Sequence, residues 1–187
     1  PIFLYKEGSP TIVKRRVVES YLLRKLFEIY VMNNDDPTDD YNQELCSILE
    51  EKLHRYDVVI VADYGHGMLT PDARSILCKK APFLAVNTQT NAGNRGFNTI
   101  AKYDRSDFVS LTRYELALEE RLIKGDIKGM ILDLSDRLKC AQVMVTLGKD
   151  GNICYRRSDG FSESPALAGQ IVDTMGAGDA VLALSSL

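Results

Sequence analysis

Asp57-Val58-Val59-Ile60-Val61-Ala62-Asp63-Tyr64-Gly65-His66-Gly67-Met68-Leu69-Thr70-Pro71-Asp72, continuing to Pro82-Phe83-Leu84-Ala85-Val86, reads as strand, helix, strand. The Val/Ile run Asp57 to Ala62 has the composition of a strand buried on both faces. Thr70-Pro71-Asp72 opens a helix: Thr as N-cap, Pro at the first helical position and an acid in the first turn. Pro82 to Val86 is a second short apolar strand.

The same alternation extends in both directions. Upstream, Leu45, Ile48, Leu49 and Leu53 fall at helical spacing within Asp40 to Arg55. Downstream, Asp107 to Leu111 predicts a third strand, with a helix from Thr112. Ile127, Met130, Ile131, Leu134 and Leu138 share one face of a helix over Asp126 to Leu138. Ala141 to Leu147 is a fourth buried strand, and Gly148-Lys149-Asp150-Gly151 turns it into a hairpin with Asn152 to Arg156. Strands alternating with helices predict an α/β fold, three-layer α/β/α, around a mostly parallel sheet. Ligands in such sheets bind beyond the carboxyl ends of the strands.

Ahead of this core, Thr11 to Val18 and Tyr21 to Val31 are rich in β-branched, aromatic and basic residues. They predict a paired-strand excursion over 1–31, followed by the polar connector Asn33 to Asp40 and the α/β core over 40–187. The basic residues Lys14, Arg15, Arg16, Arg24 and Lys25 are expected to keep one face of that hairpin in water.

The bulk numbers exclude several classes. With 187 residues, 45% hydrophobic and 26% charged, the chain has enough apolar material for one core. A net charge of −3, from 23 Lys plus Arg and 26 Asp plus Glu, gives no general pull toward nucleic acid or an anionic membrane. No apolar run is long enough for a membrane span, and Pro1 to Leu4 lacks the features of a signal peptide. Cys46, Cys78, Cys140 and Cys154 form no C-x-x-C pair, and His54 and His66 are the only histidines, so a zinc site is not expected. Reduced thiols in a cytoplasmic protein are the plain reading. The opening proline and the apolar close from Ala180 to Leu187, without a C-cap signal, suggest that the natural chain continues.

The chemistry concentrates in Asp173-Thr174-Met175-Gly176-Ala177-Gly178-Asp179, which stands between an apolar pair and an apolar helix. Gly176 and Gly178 allow close approach of the backbone, and free amides at a helix start favour an anion. Asp179 adds a carboxylate one residue past the second glycine. Phosphoryl transfer needs donors for the moving oxygens and a base for the acceptor alcohol, and this stretch supplies both. A tight structural turn explains the glycines equally well on local physics. A Walker loop fails, because Gly148-Lys149 is followed by Asp150 and has Val143 at the first position. A dinucleotide fingerprint fails at Val181.

This stretch resembles the D-T-x-G-A-G-D signature of the ribokinase/PfkB carbohydrate kinases. The resemblance implies an anion hole at Gly176, Ala177 and Gly178, and a catalytic base at Asp179. Val145-Thr146-Leu147-Gly148-Lys149-Asp150-Gly151 is similar to the family's V-T-L-G-x-x-G turn. It implies nucleotide contacts at Thr146, Gly148 and Gly151, with Thr174 on the same ligand. Alone, that turn would read as an ordinary hairpin; its family-like spacing ahead of Asp179 reverses the preference. Ser9-Pro10-Thr11-Ile12-Val13-Lys14-Arg15-Arg16 and Val61 to Gly67 look like segments of the kinase domain of bifunctional ADP-heptose synthases, where P-T-x-x-K-x-R and S-D-Y-G-K-G occur. The resemblance covers nearly all of this chain, but only the later, C-terminal part of a ribokinase-like kinase domain. The segments that complete the sugar and adenine pockets lie outside it, so the isolated chain is expected to have little or no kinase activity.

The resemblance implies ATP-dependent phosphorylation of a sugar or sugar-phosphate hydroxyl, with ATP and Mg2+ as cofactors. A small β lid hairpin over the sugar would double as a homodimer surface. A fusion to a nucleotidyltransferase is a further reading, and a catalytically degenerate binding or interaction module is the rival one. Two departures keep that rival open. The family's N-x-x-E becomes Thr112-Arg113-Tyr114-Glu115, so Glu115 is the metal candidate while Thr-x-x-Glu is also a plain capping box, the reading slightly ahead. The Asp-Pro-Lys-like turn becomes Val86-Asn87-Thr88-Gln89-Thr90-Asn91, and the polar loop through Asn98 either binds another ligand or is simply solvated. Asp63, ending a strand at the ligand edge, is a substrate-side candidate. His66, a lone loop histidine, reads more readily as a surface residue than as a catalyst.

Overall fold

The computed structural model describes residues 1–21, 25–94, 96–122, 124–167 and 176–187. Two sheets are present among them. The small one is an antiparallel pair, β1 (Val13–Val18) and β2 (Lys25–Val31), in which Val13 faces Val31 and Val17 faces Phe27. The large one has six strands in the order β3 (Val59–Asp63), β4 (Leu84–Thr88), β5 (Phe108–Thr112), β6 (Gln142–Thr146), β7 (Asn152–Arg156) and β8 (Gly160–Ser164). β3 to β6 run parallel, whereas β7 and β8 fold back antiparallel.

Five helices complete the described structure: α1 (Asp39–Lys52), α2 (Pro71–Lys80), α3 (Arg113–Glu119), α4 (Ile127–Arg137) and α5 (Ala177–Ser185). Strand alternation sorts the sheet's side chains into two layers. Val61, Val86, Val109, Leu111, Val143 and Val145 face one way, against Leu77 of α2, Leu116 of α3 and Ile131 and Leu134 of α4. Ala85, Phe108 and Met144 face the other way, against Leu182 of α5. Helices on both faces make this the three-layer α/β/α arrangement that the alternating runs predict. Leu116, Ile131 and Leu134 have no exposed surface, and burying each contributes roughly 1.5–3 kcal/mol.

Local signals set the helix starts. The Thr70 hydroxyl accepts from Ala73 N, with Pro71 at the first position and Asp72 in the first turn. Thr38 caps α1 in the same way, and the Asp126 carboxylate accepts from Lys128 N and Gly129 N to start α4. β8 has no counterpart among the predicted strands: Gly160-Phe161-Ser162-Glu163-Ser164 offers one large apolar residue, whose ring packs 4.9 Å from that of Tyr155. No helix among the described residues is long and apolar enough to cross a membrane.

The hairpin stands outside the main sheet as expected, but its charges are arranged differently. Lys14 lies on the face turned toward the core, its ammonium 5.3 Å from the Tyr30 ring and 4.9 Å from the Tyr64 ring. The outer face carries Arg15 among Val13, Phe27, Ile29 and Val31, each of these four about half exposed. The basic residues therefore divide between the faces rather than solvating one; Arg24 lies outside the described residues.

Candidate active site

Parallel β3 to β6 end together at Asp63, Thr88, Thr112 and Thr146, and these carboxyl ends form the edge on which the site is built. α5 brings Asp179 to it. Gly176 caps that helix in the left-handed region, at φ +76°, with no side-chain bond to the first-turn amides. A Cβ added at Gly176 or at Gly178 would meet no described residue within 4 Å. Among the described residues no side chain caps this helix start, the condition under which its amides bind an anion. Asp179 sits in this first turn, and the Tyr64 hydroxyl donates to its Oδ1 at 2.9 Å. Burial, then the bond to Asp179, push the Tyr64 phenol above its ordinary ionisation range.

The turn that carries Tyr64 is fastened by asparagine amides. Asn91 and Asn94 Nδ2 both donate to Tyr64 O, at 2.9 and 3.0 Å. Asn98 Nδ2 donates to Asp63 O at 2.7 Å, and Gln89 N donates to the same carbonyl at 2.8 Å. The polar loop through Asn98 is therefore tied to this turn rather than simply solvated, and its Asn94 and Asn98 also line the cavity beside Asp63. Its amides satisfy carbonyls that a buried turn would otherwise leave without partners.

Asp63 is buried, and its carboxylate is already engaged. Oδ1 accepts from Gly65 N at 2.9 Å; Oδ2 accepts from Tyr103 OH at 2.7 Å and pairs with Lys102 Nζ at 2.6 Å. Burial lowers the Lys102 ammonium's hold on its proton, and Asp63 opposes that shift. Asp63 and Lys102 line a cavity of about 620 Å³ together with Asn98, Asn94, Arg74 and Asp39.

His66 is not a surface residue. Its ring is half-buried between Tyr30, at 6.1 Å, and Tyr64, stacked at 14° and 6.4 Å, and both ring nitrogens are buried without a hydrogen-bond partner among the described residues. Burial, aided by the Lys14 charge and opposed by Asp63, holds its pKa below the ordinary histidine value.

Glu115 forms the capping box. Its Oε2 accepts from Thr112 N at 2.8 Å and Thr112 Oγ1 at 2.9 Å, Thr112 Oγ1 accepts from Glu115 N, and Glu115 Oε1 accepts from Thr90 N at 2.9 Å. A carboxylate offers roughly four acceptor positions, which leaves roughly one uncommitted. Among the described residues no group of three or more His, Cys, Asp or Glu could hold a metal ion. Such a cage is not what Mg2+ requires, because it keeps waters and leans on substrate phosphates.

Thr146 pairs in register with Thr112, so the β6–β7 turn adjoins the Glu115 cap. Gly148 stands at φ +63°, and a Cβ there would meet no described residue within 4 Å. Gly151, at φ +93°, is walled in: a Cβ there would lie 1.9 Å from Ser164 O. Thr174 lies outside the described residues. Tyr64 and the three asparagines did not stand out in the sequence; the N-x-x-N-x-x-x-N spacing was the available signal.

The sheet and its layers are ribokinase-like. Arabidopsis thaliana ribokinase, solved with ribose and ATP, superposes with a TM-score of 0.66 at 18% identity, covering 96% of this chain and 56% of that one. Escherichia coli phosphofructokinase-2 superposes at 0.63 with 13% identity, covering 86% and 55%. Residues 94–184 match the model of the pfkB family carbohydrate kinases. In sequence the chain is similar to the bifunctional protein HldE of Koribacter versatilis, 30% identical over 200 residues, and of Campylobacter jejuni, 26% identical over 188. These alignments cover 99% and 97% of this chain but 37% and 38% of the relatives, so the chain spans well under half of their length.

Proposed function

We propose that this chain is the C-terminal part of a carbohydrate kinase domain that transfers the γ-phosphoryl group of ATP to a hydroxyl of a sugar or sugar phosphate. The observation that carries the proposal is Asp179 at an uncapped helix start beside an open glycine turn, on the carboxyl edge of a ribokinase-like sheet. The acceptor O–H gives its proton to Asp179 as its oxygen bonds to the γ-phosphorus. The bond from that phosphorus to the bridging oxygen of ADP breaks, and ADP leaves. The amides around Gly176, Ala177 and Gly178 neutralise the moving oxygens. Thr146 and Gly148, with Thr174, border the nucleotide, and Gly151 closes the turn that presents them. Mg2+ bound with ATP would supply charge neutralisation at the phosphates, and Glu115 would hold it through water with its remaining lone pair. Asp63 orders the substrate-side cavity through Lys102 and Tyr103.

The resemblance to the kinase domain of bifunctional ADP-heptose synthases makes a heptose-type sugar the candidate acceptor and a nucleotidyltransferase the candidate fused neighbour. The test is ³¹P NMR of the intact gene product with ATP, Mg2+ and a panel of hexose and heptose monophosphates. A new phosphorylated sugar appearing with ADP is the expected result; none across the panel would sink the proposal. The exposed apolar face of the hairpin fits the expected dimer, since a two-stranded sheet gains stability by packing against another surface. The four thiols are free, which suits a cytoplasmic protein.

One observation favours the rival reading, a kinase-like module that binds without catalysis: Thr112 replaces the family's Asn, and its hydroxyl is spent on Glu115. ATP binding without transfer to any acceptor would support it.

A further inference from the structure

We propose that Tyr64 is a positioning residue for phosphoryl transfer: its hydroxyl holds one oxygen of the Asp179 carboxylate so that the other faces the acceptor hydroxyl. The proposal rests on the reading of Asp179 as the base. Among the described residues, Tyr64 is the only side chain hydrogen-bonded to Asp179, at 2.9 Å across 115 positions of sequence. An aspartate in the first turn of a helix otherwise has several rotamers open to it. One strong donor on Oδ1 selects among them and leaves Oδ2 uncommitted to that donor.

Tyr64 is itself held from three directions. Two asparagine amides fix its carbonyl. The carbonyl before it, Asp63 O, is fixed by Asn98 and by Gln89 N. Its ring lies under the Lys14 ammonium and against the His66 ring. A rigid support for a reacting group is what transfer by positioning needs, because small misplacements cost large factors in rate. The phenol keeps its proton throughout. Burial and the neighbouring carboxylate both oppose its ionisation, so the acceptor's proton goes to Asp179 and Tyr64 remains a donor. Lys14 belongs to the hairpin, so hairpin and base meet on this one ring.

The test is a double-mutant cycle in the intact gene product, reading ADP release with the best acceptor among hexose and heptose monophosphates. Tyr64→Phe removes only the hydroxyl. It should lower kcat about tenfold, the scale of one hydrogen bond to a charged group, with KM for ATP and for the acceptor within about twofold. In an Asp179→Asn background the same change should cost nothing further, because the group through which Tyr64 acts is gone. An unchanged kcat for Tyr64→Phe beside a crippled Asp179→Asn overturns the positioning role and leaves the base intact. A raised acceptor KM at constant kcat also overturns it, making Tyr64 a substrate contact. An Asp179→Asn enzyme of normal kcat overturns the base reading first. A second measurement needs no turnover: the Tyr64 phenol, followed by ¹³C-tyrosine NMR, should ionise at lower pH in Asp179→Asn. An unmoved titration means that the bond is absent in solution and ends the proposal.

Discussion

Two glycine turns flank the carboxyl edge of the sheet, and they use the same backbone freedom for opposite ends. Gly151 and Gly176 both lie at positive φ, +93° and +76°. Around Gly151 the space is full, with Ser164 O 1.9 Å and Pro165 C 2.8 Å from where a Cβ would stand. Around Gly176, and around Gly178 two residues on, no described residue lies within 4 Å. The first turn is glycine so that β7 and the chain leaving β8 can close on each other. The second faces space that no described residue fills, at a helix start that no described side chain caps. Positive φ alone does not separate a structural glycine from one kept for a ligand; the surroundings of the missing Cβ do.

The largest effect that would test this contrast is expected at Gly178. It is helical, so Gly178→Ala meets no backbone strain and should leave stability unchanged or raise it by up to about 1 kcal/mol. If its open face receives a phosphoryl group, turnover should nonetheless fall on the order of 10²-fold. Thermal melting beside steady-state turnover checks both halves, and unchanged turnover would make the open turn merely unfilled. Gly151→Ala should do the reverse, costing at least about 2 kcal/mol from backbone strain and overlap with Ser164, or roughly 4–8 °C in Tm. A Tm within a degree of the parent would show that the wall is softer than the geometry implies.

The smallest effect tests enclosure without glycine. His66 has an ordinary pKa of 6.5 when unfolded, and its folded value is lower because the ring is buried beside Lys14. Below 6.5 the unfolded chain therefore binds the proton more readily than the folded one, so stability is present above that pH and is lost as pH falls through it. His66→Gln should flatten this part of the stability–pH curve, as followed by denaturant melts between pH 5 and 7. An identical slope in both proteins would place the histidine in water.

The same contrast explains what could be read from sequence. β4 and β5 are legible because strands covered on both faces must be apolar runs; β3 shows the same kind of run although Ile60 and Ala62 on its other face are exposed; and α2 is legible because Thr70-Pro71-Asp72 satisfies its start locally. The Glu115 cap is legible for the same reason, with both partners within one turn. β8 is not, because it is an edge strand that buries little and carries one large apolar side chain. The open turn showed its glycines and its acid, but not that Tyr64 would arrive from 115 residues away. The asparagine loop was opaque for that reason too: Asn98 finds its carbonyl 35 positions upstream, and an amide's partner cannot be inferred from the amide.

The central claim, that Asp179 is the base of a phosphoryl transfer from ATP to a sugar hydroxyl, is tested most directly by Asp179→Asn in the intact gene product. Asn keeps the size and still accepts from Tyr64, but cannot take the alcohol's proton. Turnover per folded molecule should drop ~10²–10⁴-fold, while ATP affinity, measured by calorimetry on the same sample, stays within about twofold. Turnover equal to that of the parent, with ATP still bound, would contradict the account.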